Sequence, residues 1–127
     1  MKIPPSFKPT RLELELLGAL WKIGFGSIRE IQESLPEDRR PEYTTVQTII
    51  YRLEEKGAVR RTKKIGNAHI FEPLVNRQST FATLIDDFIG TLGGSHEPLV
   101  AHLVESGKIS SAELKQMEKL LKERRTK

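Results

Sequence analysis

A mainly α chain carrying one small β-hairpin is the fold this sequence predicts, and three observations carry that expectation. Apolar residues recur at helical spacing in one stretch after another. Thr10/Glu13, Ser27/Glu30 and Ser110/Glu113 each place a hydroxyl three residues before a glutamate, the spacing of a capping box at a helix start. Only between residues 58 and 72 does the period change, around Ile65-Gly66-Asn67.

The elements follow in order. Residues 1–9 hold three prolines and predict a loose arm. Leu12, Leu16, Leu17, Leu20 and Trp21 mark a first helix over roughly residues 11–23, with Gly24 as its stop. Ile28, Ile31 and Leu35 mark a short second helix that Pro36 ends. After the loop PEDRRPE, a third helix over 43–56 stops at Gly57. AVRRTKK and AHIFE then read as two strands joined where Asn67 or Gly66 supplies a positive φ. Beyond Val75 the pattern is helical: Phe81, Leu84, Ile85, Phe88 and Leu92 on one helix stopped by Gly93-Gly94, then Leu99, Val100, Leu103 and Val104 on a second that Ser95 can cap. Leu114, Met117, Leu120 and Leu121 line the last helix, with Ile109 and Leu114 placed as a hydrophobic staple.

Helix, short helix, helix and basic hairpin, in that order, are the winged form of the helix-turn-helix. The division expected is a winged-helix domain over 1–75 and a helical region over 76–127. The latter is short for an independent core without a disulfide or metal. Pairing with a second copy through Phe81, Leu84, Ile85, Phe88, Leu92, Leu99, Leu103, Leu114, Met117 and Leu121 is the expected remedy. Packing on the winged half of the same chain is the alternative.

The stretch 43–56 carries the functional expectation. Val46, Ile49, Ile50 and Leu53 fall on one stripe, and Thr44, Gln47, Thr48, Tyr51 and Arg52 on the other side. Thr44, Thr45 and Thr48 are β-branched, so helix propensity alone would not choose them. A first turn of hydroxyls and amides on an apolar stripe suits base edges in a major groove. The rival is an ordinary surface helix that threonines cap and solvate.

Composition narrows the class. The 127 residues are 37% hydrophobic, enough for one modest core, with a formal net charge of +4. Residues 39–64 hold eight Arg or Lys against three acids, so the positive charge sits around the third helix and hairpin and favours a polyanion. The absence of cysteine excludes disulfides, thiolate metal sites and thiol redox chemistry. No apolar run reaches membrane-span length, and MKIPPSFKPT lacks a signal-peptide core, so a cytoplasmic chain without membrane insertion is expected. No cofactor or metal is expected: His69, His96 and His102 show no ligand spacing. Glu54-Glu55 and Asp86-Asp87 point their carboxylates about 100° apart on a helix, so neither pair converges on a substrate. Gly24-Phe25-Gly26 and Gly93-Gly94 lack the lysine of a phosphate loop and read as helix stops. No enzymatic site is expected.

The stretches LELELLGALWKIGFGSIREIQESLP, YTTVQTIIYRLEEKGAVRR and GNAHIFEPLV, followed by FIGTLGGSHEPLVAHLVESGKISSAELKQMEKLL, resemble the penicillinase repressors, the BlaI/MecI group that also includes the copper-responsive CopY repressors. The resemblance runs from about Thr10 to Leu121. It implies a homodimeric repressor whose winged helix binds a palindromic DNA operator and whose C-terminal helices dimerise. Members controlled by a β-lactam-sensing membrane protease are similar around LVAHLVE, which would make a sensor protease a partner. They carry an Asn-Phe cleavage pair there, whereas this chain has His102-Leu103. The copper-responsive branch carries a cysteine-rich metal site that this chain lacks.

Residues and resemblance thus converge on a sequence-specific DNA-binding repressor. Thr44, Thr45, Gln47 and Thr48 are expected to read bases, with Gln47 suited to a bidentate contact with adenine. Arg39, Arg40, Tyr51, Arg52, Arg61, Lys63 and Lys64 are expected on phosphates, which set position rather than sequence. The alternatives are a winged-helix protein-interaction adaptor and a metal-responsive repressor using histidines.

Overall fold

The computed structural model describes residues 7–125. Two compact units divide the chain, Met1–Leu84 and Ile85–Lys127. The first contains α1 (Arg11–Ile23), α2 (Ile28–Ser34), a 3-10 turn (Glu37–Arg39), α3 (Tyr43–Glu55), β1 (Val59–Ile65), β2 (Ala68–Pro73) and the start of α4 (Arg77–Thr91). The second holds the rest of α4, then α5 (Glu97–Glu105) and α6 (Ser111–Arg125).

Each of the first two helices begins in a formed capping box. The Thr10 amide donates to Glu13 Oε1 at 2.8 Å and the Glu13 amide to Thr10 Oγ1 at 3.2 Å. Ser27 and Glu30 repeat the exchange at 2.9 and 3.2 Å. Two orphan amides per helix are thereby satisfied, which fixes where each helix starts. Helix α2 ends at Leu35, whose extended backbone leads into Pro36.

The three helices meet through the stripes their periodicity dictates. Leu16, Leu17 and Leu20 of α1, Ile31 of α2, and Val46, Ile50 and Leu53 of α3 have no exposed surface. Val59 and Phe71 close the cluster from the hairpin side. Burying one such side chain is worth about 2 kcal/mol, so the stripe of α3 anchors that helix and fixes which face points outward.

The hairpin pairs β1 and β2 antiparallel, from Val59 opposite Pro73 to Ile65 opposite Ala68. Gly66-Asn67 is therefore a two-residue turn, and Gly66 takes the positive φ of 61° that its first position requires. The register slips between Arg61 and Lys63, leaving Thr62 as an extra residue that bends the strand. Gly26 was expected only to stop a helix. It is buried and exchanges both backbone hydrogen bonds with Phe71 at 2.9 Å, adding a bridge to the free side of β2. A side chain there would place Cβ 2.8 Å from Ile23 Cδ1 and 3.3 Å from Glu30 Cβ, so the space between α1 and α2 suits glycine.

The first unit extends into α4. The Trp21 indole donates to the Val75 carbonyl at 3.0 Å, and Phe81 sets its ring edge-on to Trp21 at 5.9 Å between centroids. In the second unit Ser110 and Glu113 form a capping box at 3.0 and 3.1 Å. Ser95 does not cap α5. That position falls to His96, without a side-chain bond, and Pro98 sits in the first turn, where no backbone donor is needed. No described residue of this unit is buried, while Ile85, Phe88, Val100, Val104, Met117, Leu120 and Leu121 are all exposed.

Candidate nucleic-acid interface

Helix α3 presents its polar side outward because its apolar stripe is consumed by the core. Thr44, Thr45, Thr48 and Arg52 are exposed, and Gln47 and Tyr51 are half-buried beside them. The Thr48 hydroxyl donates to the Thr44 carbonyl at 2.9 Å, which leaves its oxygen lone pairs for an outside donor. Unlike α1 and α2, α3 starts without a side-chain cap, and its first turn holds no acid. Its N-cap residue is Glu42, whose side chain makes no capping hydrogen bond.

Gln47 and Tyr51 form a pair one turn apart. The Gln47 Nε2 group donates to the Tyr51 hydroxyl at 3.2 Å. They line a cleft of about 130 Å³ together with Arg29 and Tyr43 and with Asn67 and His69 of the hairpin. The Arg29 guanidinium lies 4.7 Å from the centre of the Tyr43 ring, at the helix start. Sequence reasoning missed Arg29 because its proximity comes from the crossing of α2 and α3, which no local spacing records.

The basic residues divide into two groups. Lys63, Lys64 and Arg52 are exposed, and among the described residues none of them is in an ion pair. Lys63 Nζ lies 5.9 Å from the centre of the exposed Phe25 ring. Arg39 points outward and approaches Glu15 at only 3.8 Å.

Arg40 and Arg61, also expected on phosphates, make bonds within the chain. The Arg40 guanidinium donates to the Leu35 carbonyl and the Glu33 carbonyl, each at 2.9 Å, and so satisfies the C-terminal end of α2. Arg61 makes two parallel bonds to Glu54 at 2.8 and 3.1 Å and stacks 4.9 Å from the centre of Tyr51 and 5.4 Å from that of Phe71. The Glu54 bond holds the Arg61 guanidinium above its ordinary pKa. Each arginine uses Nε and Nη2 on acceptors nearby in sequence, on the α-helix that precedes it.

The residues expected at a dimer contact are distributed as follows. Ile85, Phe88, Met117 and Leu121 are exposed, and Leu84, Leu92, Leu99, Leu103 and Leu114 are half-buried. The half-buried Phe81 ring rests on Trp21, with the Arg77 guanidinium 5.1 Å from its centre. Val100, Val104 and Leu120 add apolar surface that the expected set left out. His102 is exposed on α5 beside Leu103. Among the described residues no group of three or more His, Cys, Asp or Glu is placed to hold a metal ion, and no helix is long and apolar enough to cross a membrane.

Three helices closed by a basic two-stranded hairpin, with the third helix offering a polar face beside it, define a winged helix-turn-helix protein. The family model described as penicillinase repressor matches residues 9–123, and the chain belongs to the penicillinase repressor family of transcriptional regulators. It is 23% identical to the penicillinase repressor of Bacillus licheniformis over 112 residues, covering 87% of each chain. It is 30% identical over 97 residues to the transcriptional regulator BlaI of Mycobacterium tuberculosis, covering 74% of this chain and 70% of that one. Among solved structures, the DNA-binding domain of the repressor BlaI matches with a TM-score of 0.51 at 27% identity, covering 61% of this chain and 90% of that domain. A MarR mutant from E. coli complexed with operator DNA shares the fold at a TM-score of 0.53 and 14% identity, covering 91% of this chain and 74% of that one. The fold expected from the sequence and the family it resembles are both borne out.

Proposed function

We propose that this chain represses transcription as a homodimer bound to a palindromic operator, with residues 1–75 reading DNA and residues 76–127 joining the two copies. The observation that carries this reading is the outward face of α3, where Thr44, Thr45, Gln47 and Thr48 stand on a stripe that the core has fully buried. Thr44, Thr45, Gln47 and Thr48 read base edges in the major groove. Arg39, Arg52, Lys63 and Lys64 hold phosphates, with the Tyr51 hydroxyl alongside. The relatives' names support the reading, as does the exposed apolar surface of the second unit, which a second copy would cover. A two-fold pair then sets two reading helices roughly 34–36 Å apart, one turn of duplex.

The test is a mobility shift with DNA from upstream of the protein's own gene, repeated at raised salt with competitor, beside sedimentation of the free protein. A specific complex that survives competitor, formed by a sedimenting dimer, is expected. A monomer that ignores every promoter fragment at low ionic strength would overturn the reading.

A further inference from the structure

Tyr51 does more in this fold than line the edge of α3. Gln47 has a long, freely rotating side chain, and an amide reads adenine only when its oxygen and one N–H point at the base together. The Tyr51 hydroxyl accepts from Gln47 Nε2 at 3.2 Å, which ties down one of the two amide protons. The carbonyl oxygen and the second proton remain for a base edge, and this is the pair that adenine N6 and N7 require.

Tyr51 is itself held. Its ring lies 6.3 Å from that of Phe71, which has no exposed surface, and the Arg61 guanidinium stacks 4.9 Å from its centre. Arg61 is fixed by its two bonds to Glu54, one turn of α3 away from Tyr51. The chain of contacts runs from Glu54 through Arg61 and Tyr51 to Gln47, and it joins the hairpin to the reading helix.

We propose that Tyr51 is a positioning residue for base recognition: its hydroxyl holds the Gln47 amide in the orientation that reads one base pair, and Arg61 holds Tyr51 in place. This rests on the reading of Gln47 as a base contact. Pre-setting the amide removes rotamer freedom before binding, so less is lost when the complex forms.

The test uses the full chain. Selection from random duplexes with the wild-type protein defines the preferred half-site, and affinities are then measured for each single base-pair change. Gln47→Ala is expected to lose discrimination at one base pair per half-site. Tyr51→Phe keeps the ring that Arg61 and Phe71 contact and removes only the hydroxyl. It is expected to lose about fivefold discrimination at that same base pair, the worth of one hydrogen bond. In the Gln47→Ala background, Tyr51→Phe is expected to change nothing further at that pair. Discrimination unchanged in Tyr51→Phe, or reduced equally with and without Gln47, overturns the positioning role while leaving the repressor reading standing. No selected sequence, or no base-pair-specific loss in Gln47→Ala, overturns the base contact and the positioning role with it.

Discussion

The ammonium of Lys56 meets both carboxylate oxygens of Glu13, at 2.8 and 3.0 Å, across 43 positions of sequence. Glu13 has no exposed surface, and it also accepts from the Thr10 amide. One carboxylate therefore closes the start of α1 and grips the residue that caps the end of α3, tying the two helices together. Lys56 remains partly exposed, which spares the pair the full cost of burying two charges.

Acid should loosen this tie in a predictable sense. Burial pushes the Glu13 pKa up, but the Lys56 bond, the Thr10 amide and the Lys56 charge together outweigh burial and hold it below its ordinary 4.5. A carboxylate with a lowered folded pKa contributes stability that is present above the unfolded value and lost as pH falls through the folded one. Urea midpoints measured downward from pH 6 should fall more steeply for wild type than for Glu13→Gln below about 4.5. At neutral pH, Glu13→Gln should cost about 2 kcal/mol. Parallel acid profiles for the two proteins would show that the pair contributes no pH-dependent stability.

Replacing Ile50 tests the anchoring of the outward face. Its side chain is fully buried in the stripe of α3. Ile50→Ala should destabilise the first unit by about 2–5 kcal/mol through lost burial and the cavity left behind. Chemical denaturation reads the loss directly, and a change below about 0.5 kcal/mol would mean the core does not hold α3 as described.

The arginines and lysines near the wing should separate by assay. Lys63→Ala and Lys64→Ala are expected to weaken binding on any duplex and to reduce the slope of log affinity against log salt by about one unit each. Arg40→Ala is expected to leave that slope alone and to lower stability by about 1 kcal/mol, because its bonds end on the α2 carbonyls. Anisotropy titrations over a range of salt, beside thermal melts, distinguish the two behaviours. A slope that moves with Arg40 and stays still with Lys63 and Lys64 would reverse the assignment.

Charge placed on the exposed face of α6 should separate the copies. Met117 and Leu121 are one turn apart and about half exposed. Met117→Glu combined with Leu121→Glu should yield a sedimenting monomer and weaken operator binding about hundredfold, since the second half-site no longer binds as an intramolecular event. A double variant that stays dimeric would move the contact away from α6.

Periodicity and end signals were enough to locate the helices of the first unit, the hairpin and the buried stripe of α3, because those features depend on residues three or four apart. The capping boxes of α1 and α2 formed as spaced, since each is a local exchange between a hydroxyl, a carboxylate and two amides. The polar face of α3 was legible for the same reason: once Val46, Ile49, Ile50 and Leu53 point inward, Thr44, Gln47, Thr48 and Tyr51 have nowhere else to go.

What local spacing leaves open is the destination of each long polar side chain. Glu13 reads as a capping residue and is also half of a buried ion pair, Arg40 reads as a phosphate ligand and closes a helix end, and Phe81 rests on Trp21 within its own unit. Arg61 bonds to Glu54 and stacks on Tyr51, and Gly26 leaves its loop to pair with Phe71. The sequence alone determined which faces are apolar and where the elements of the first unit begin and end, since both follow from neighbours along the chain. Only the tertiary structure decided which charges are spent inside the molecule, because a guanidinium or ammonium on a flexible stem takes whatever acceptor the packing of distant elements brings within about 3 Å.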